Sequence, residues 1–145
     1  MRKEKTAKIK IIDDIAPDFY LHTDLFSTTT EEVYSIDQIK EAISENLEKE
    51  GISVEVVSAN TIKPLDEKTI LTSIKKTNKV ITCENHNIIG GLNSAVSELL
   101  CREYPTKLYS IGVKDQFGQV GKYDDLLKAY NMTPEDIKEL VKNIL

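Results

Sequence analysis

The sequence predicts an α/β fold, a three-layer α/β/α sandwich with about five mostly parallel strands. Short β-branched runs alternate with amphipathic helical segments along most of the chain. That alternation is the signature of βαβ units, whose crossovers are right-handed and put helices on both faces of the sheet. Glycine and proline fall mostly between these segments, where they punctuate connections. The chain has 145 residues, 40% hydrophobic and 30% charged, which suits a single domain able to bury its own core without disulfide or metal.

The elements follow in order. Lys8–Ile12 is a short β-branched run, and Asp18–Thr23 follows the turn at Pro17. With no helix between these two strand candidates, one strand near the amino terminus is expected to be antiparallel. Residues 1–17 therefore read as an amino-terminal tail with a first short strand, and 18–145 as the domain. A polar, threonine-rich connection, Asp24–Tyr34, precedes Ser35, a candidate N-cap. Ile36, Ile39, Ile43 and Leu47 share one face of the helix it opens, and Gly51 ends that helix. Ile52–Ala59 is the clearest strand, and Pro64 marks the loop beyond it. Asp66 is placed to cap a helix carrying Ile70, Leu71 and Ile74. Lys79–Glu84 is the next strand, followed by a loop to Gly91 and a helix with Leu92, Val96, Leu99 and Leu100 inward. Pro105 stops that helix, Lys107–Val113 forms another strand, and Tyr123–Tyr130 is helical. Thr133-Pro134-Glu135-Asp136 supplies an N-cap, a proline at the first helical position and acids against the helix dipole.

Charge and composition exclude several functions. The net charge is −5, and the basic residues near the amino terminus read as a solvated tail, so no nucleic-acid surface is expected. No segment has the length of a membrane span or the pattern of a signal peptide. Cys83 and Cys101 show no metal-ligand spacing and read as two buried thiols of a reduced compartment, with the cytoplasm as the expected location. Asp24, Glu31 and Glu32 lack ligand spacing as well, and His22 reads as a structural histidine.

Two loops stand at strand carboxyl ends, where open α/β sheets gather ligands. In the first, Glu84-Asn85-His86-Asn87-Ile88-Ile89-Gly90-Gly91, a carboxylate ends a strand, a histidine follows, and paired glycines open a helix. Glu84, His86, Gly90 and Gly91 thus read either as an anion-contact or proton-transfer loop, or as satisfied loop residues over a packing device. Neither GxGxxG nor a P-loop is present. The second loop, Gly112–Gly121, carries Asp115, a buried-type Phe117 and Gly118, and reads as part of a partner surface or of a site lip, or as a tight connection to the next helix. No catalytic, cofactor-binding or metal-binding residue is assigned, since neither a nucleophile–base pair nor a GxSxG elbow can be assembled.

Four stretches, Lys63–Ile70 (KPLDEKTI), Lys79–Leu100, Ile111–Gly121 (IGVKDQFGQVG) and Leu126–Ile137 (LLKAYNMTPEDI), together resemble the carboxy-terminal domain of transketolase-type enzymes over about residues 36–145. In order and spacing the resemblance is closest to transketolase. It implies a mixed five-stranded α/β/α sandwich that lies outside the cofactor cleft and shapes the assembly. Family enzymes hold thiamine diphosphate and a divalent metal between diphosphate-binding and pyrimidine-binding domains. The GDG motif of the first is absent here, and no segment resembles the second. The resemblance therefore implies a domain or subunit that binds no cofactor alone. Its partner would be a polypeptide carrying the other two domains. A homodimer is also implied, although much of the family's dimer surface belongs to those domains. An interface role for the loop Glu84–Gly91 is implied too. The chain departs from the family at its first strand, where Leu21–Phe26 replaces the usual ATG-type turn. A free-standing regulatory or small-anion- or protein-binding module that retains the fold is the alternative reading.

Overall fold

A computed structural model describes the strand backbone of residues 7–13, residue 43 and residues 46–145. Among the described residues four strands, β1 (Ala7–Asp13), β2 (Ile52–Ser58), β3 (Val80–Asn87) and β4 (Leu108–Val113), form one sheet in the order β2-β1-β3-β4. All three strand pairings are parallel. The strand expected over Lys8–Ile12 is thus parallel to both neighbours. Its expected companion Asp18–Thr23, the Ser35 cap, Ile36, Ile39, His22 and the Asp24–Tyr34 connection lie outside the described residues.

The strand order dictates where the helices go. The chain moves one way from β1 to β2, then back across β1 to β3 and on to β4. With right-handed crossovers, the helix after β1 must lie on one face and those after β2 and β3 on the other. The apolar clusters follow this division. Ile43 and Leu47, from a helix α1 whose described residues are 43 and 46–49, pack with Ile52, Ile81, Cys83, Ile137, Val141 and Ile144. On the other side, Ile70 and Ile74 of α2 (Glu67–Thr77) join Val80 and Leu92, Val96, Leu99 and Leu100 of α3 (Leu92–Glu103). Because strand side chains alternate, Ile81 and Cys83 face the first cluster, while Val80, Thr82 and Glu84 face α2 and α3. A parallel strand covered on both faces reads as a continuous apolar run, and Val80–Glu84 is buried throughout.

The helix ends use the devices that the sequence offers. Gly51 takes a positive φ of 79° just after α1, which a side chain would resist. Asp66 Oδ1 accepts from Thr69 N–H at 3.1 Å and opens α2. A short helix, α4 (Tyr123–Ala129), leads to α5 (Pro134–Asn143). There Thr133 N–H donates to Asp136 Oδ2 at 2.8 Å while Thr133 Oγ1 accepts from Asp136 N–H at 3.3 Å, a complete capping box. Lys79 Nζ donates to the Ile144 carbonyl and holds the end of α5 beside β3.

One cysteine assignment changes. Cys83 is buried, but Cys101 is exposed. It stands one step beyond Leu99 and Leu100 on α3, which turns it out of the inward arc those residues occupy.

Candidate functional site

The carboxyl edge of the sheet is built by an irregularity between β3 and β4. Cys83 pairs with Ile111 and Asn87 with Val113, so residues 84–86 on β3 stand opposite Gly112 alone. The strand therefore does not stop at Glu84 but bulges through it and continues to Asn87. Gly112 makes room for this: a Cβ there would lie 2.7 Å from Ile88 Cγ2 and 3.1 Å from the Glu84 carbonyl oxygen. The bulge keeps Glu84 pointed at the α3 face.

Glu84 is 1% exposed. Its carboxylate accepts from Leu92 N–H at 2.8 Å (Oε2) and Asn93 N–H at 3.0 Å (Oε1). The N-cap of α3 is Gly91, which has no side chain to satisfy these donors, so a carboxylate from the neighbouring strand supplies both acceptors. The place where a helix N-terminus would bind an anion is filled by the protein's own anion. Thr82 Oγ1, two residues earlier on the same face, donates to Asn93 Oδ1 at 3.2 Å and holds the same turn.

His86 lies over this pair. Its Nδ1 is 3.2 Å from Glu84 Oε2 and 3.0 Å from the Asn87 carbonyl oxygen. Two acceptors face Nδ1, an arrangement that suits a hydrogen on that nitrogen. Gly91 sits between the two side chains, and a methyl group on it would overlap Glu84 Oε2 and the His86 ring. Gly90, at φ 85°, donates its N–H to Ser94 Oγ at 2.8 Å. Ile89 N–H donates to Asn87 Oδ1 at 2.8 Å, while the Ile89 side chain is 64% exposed.

The second loop adjoins the first through Ile88 N–H, which donates to the Val113 carbonyl at 3.0 Å. Asp115 adopts a left-handed conformation, φ 46°. Phe117, expected to be of buried type, is 99% exposed, and Val120 is fully exposed. Gly118 has no heavy atom near the position a Cβ would take. The backbone of this loop is nonetheless tied down: Gln119 N–H donates to Tyr130 Oη at 2.8 Å, and the same hydroxyl donates to the Phe117 carbonyl at 3.4 Å.

The structure thus joins Glu84, His86 and Gly91 in one cluster, with Gly90 in the turn above it. Asp115, Phe117 and Gly118 lie on the neighbouring loop. Sequence reasoning placed Gly112, Ile89 and Val120 in these loops without giving them roles, and placed Tyr130 only at a helix end. A helix start at Gly90-Gly91 with no capping side chain was the signal for the role of Glu84. A cleft of about 490 Å³ at the end of β2 is lined by residues that include Ser58, Asn60, Pro64 and Asp66. Asp66 there is already occupied in capping α2. Among the described residues no cluster of three or more His, Cys, Asp or Glu is arranged to hold a metal ion, and no helix is long and apolar enough to cross a membrane.

Residues 37–137 match the family model described as transketolase, C-terminal domain. This chain belongs to that family. Among relatives of the transketolase C-terminal domain, the 6-deoxy-6-sulfo-D-fructose transketolase subunit SqwH of Clostridium sp. (strain MSTE9) is 43% identical over 94 residues, 65% of this chain and 29% of that protein. The 1-deoxy-D-xylulose-5-phosphate synthase of Carboxydothermus hydrogenoformans is 38% identical over 104 residues, 70% of this chain and 17% of that protein. A solved structure titled split gene transketolase, inactive beta4 tetramer, superposes with a TM-score of 0.73 at 30% identity, covering 96% of this chain and 39% of that one. The chain therefore spans well under half the length of these relatives.

Proposed function

We propose that this chain serves as the carboxy-terminal domain or subunit of a transketolase-type, thiamine-diphosphate-dependent ketol transferase, acting in assembly and not catalytically active alone. The observation that carries the reading is the state of the carboxyl edge. Its buried carboxylate, Glu84, is bound to the first N–H groups of α3, and three of its large apolar side chains, Phe117, Val120 and Ile89, are exposed. Such an edge is suited to contact and poorly suited to holding a diphosphate or a divalent metal. No catalytic step is assigned to the described residues.

The similarity to a transketolase subunit and to a split-gene transketolase supports a chain that works with another polypeptide. In this reading the partner carries the diphosphate- and pyrimidine-binding domains and brings thiamine diphosphate and its metal, in the cytoplasm. The solved relative titled split gene transketolase, inactive beta4 tetramer, supports self-association and inactivity of such a chain. The complete domain would be an α/β/α sandwich of about five strands, with a further, antiparallel strand beyond the four described.

Calorimetric titration with thiamine diphosphate and magnesium tests the proposal. The chain alone is expected to give no binding heat, and a mixture with a polypeptide carrying the other two domains is expected to bind. Binding by the chain alone would overturn the proposal. Absence of binding by the mixture would instead favour a regulatory module.

A further inference from the structure

The loop between β4 and α4 presents its apolar side chains in an unusual way. Phe117 is 99% exposed and Val120 fully so, yet the backbone between them is fixed by two hydrogen bonds to the Tyr130 hydroxyl. A loop held by its backbone while its large apolar side chains stand in water gains nothing from them in the free chain. It has, however, already met much of the ordering cost that binding would require. The neighbouring residues Lys114, Asp115, Gln116, Gln119 and Lys122 are polar and exposed, the composition found at the rim of an interface.

We propose that this loop is a docking tip, with Phe117 and Val120 inserting into an apolar pocket on the polypeptide that carries the cofactor-binding domains. The inference rests on the function proposed above and adds the contact. The area available decides between occupants. A buried aromatic side chain contributes about 150–250 Å², whereas a specific, stable interface needs about 800 Å² from each partner. The tip is too small to sustain a pair of these chains by itself, and it suits an anchor within a wider interdomain contact. In two relatives this chain aligns with 29% and 39% of the length, and the rest of the same relative chain is further polypeptide beside this domain. Ile89, two residues beyond the end of β3, is a further exposed apolar side chain.

The test measures association between this full chain and a polypeptide carrying the diphosphate- and pyrimidine-binding domains, for wild type, Phe117→Ser and Val120→Ser. Each substitution is expected to weaken binding about tenfold or more, roughly 1.4 kcal/mol, and to leave the thermal midpoint of the isolated chain unchanged. Wild-type binding with unaffected variants would overturn the docking tip and leave the subunit reading intact. A lack of wild-type binding would overturn both. A lowered midpoint in the isolated variants would place the cover of Phe117 within this chain, and loss of self-association alone would place it on a second copy. Either result refutes the assignment.

Discussion

Replacing Glu84 tests how the carboxyl edge is held. The carboxylate satisfies the N–H groups of Leu92 and Asn93 from a residue that is 1% exposed. Hydrogen bonds to a charged group are worth about 1.5–3 kcal/mol each, and a buried donor left unsatisfied costs about 1–3 kcal/mol. Removing the charge also relieves its own desolvation penalty, which offsets part of the loss. Glu84→Ala should therefore destabilise by about 2–4 kcal/mol net of that relief. Glu84→Gln retains one acceptor oxygen but turns an amide N–H₂ toward the other donor, so it should cost about half as much. At this chain length each kcal/mol moves the thermal midpoint by about 2–4 °C, which puts the alanine variant about 4–16 °C below wild type. Urea unfolding followed by far-ultraviolet circular dichroism measures the difference, and amide exchange at Leu92 and Asn93 localises it. An alanine variant within about 0.5 kcal/mol of wild type, or one no worse than the glutamine variant, would refute the capping role.

Other predictions follow from the same edge and the helix starts. Gly112→Ala brings a Cβ to 2.7 Å from Ile88 Cγ2 and 3.1 Å from a backbone oxygen. It should cost about 1–3 kcal/mol in unfolding free energy, and full wild-type stability would contradict the described bulge. Thr133→Ala removes the N-cap of α5 and should cost about 1 kcal/mol, measurable as a shift in urea midpoint at constant slope. The hydrogen bonds from the Thr69 side chain and backbone, with Lys68 nearby, hold the Asp66 carboxyl below its ordinary value of 3.8. Stability from a depressed carboxyl is present above the unfolded value and is lost as pH falls through the lower folded value. Asp66→Asn should therefore flatten the acid limb of the stability profile, and an identical limb in both proteins would contradict this.

Much of the fold was legible because local signals and tertiary demands agree. Asp66 and Thr133 were recognisable caps, and Leu92, Val96, Leu99 and Leu100 were recognisable as one face. The same periodicity turns Cys101 outward, a consequence missed when its place on a helical pattern was read as burial. The site was less legible. Glu84 at the end of an apolar run resembled a strand terminus at the surface, since register irregularities leave no periodic trace. Its burial follows from a helix that begins on Gly91 and must find its acceptors elsewhere. Phe117 lies in an aperiodic, glycine-rich loop, where nothing in the local pattern distinguishes an inward side chain from an outward one.

The most direct test of the subunit reading is ketol-transfer activity while this chain is titrated into a polypeptide carrying the diphosphate- and pyrimidine-binding domains, with thiamine diphosphate and magnesium present. The account predicts no activity from this chain alone and a rise that saturates at a fixed ratio of the two polypeptides. Activity from this chain alone, or activity of the other polypeptide that does not change when this chain is added, would contradict it.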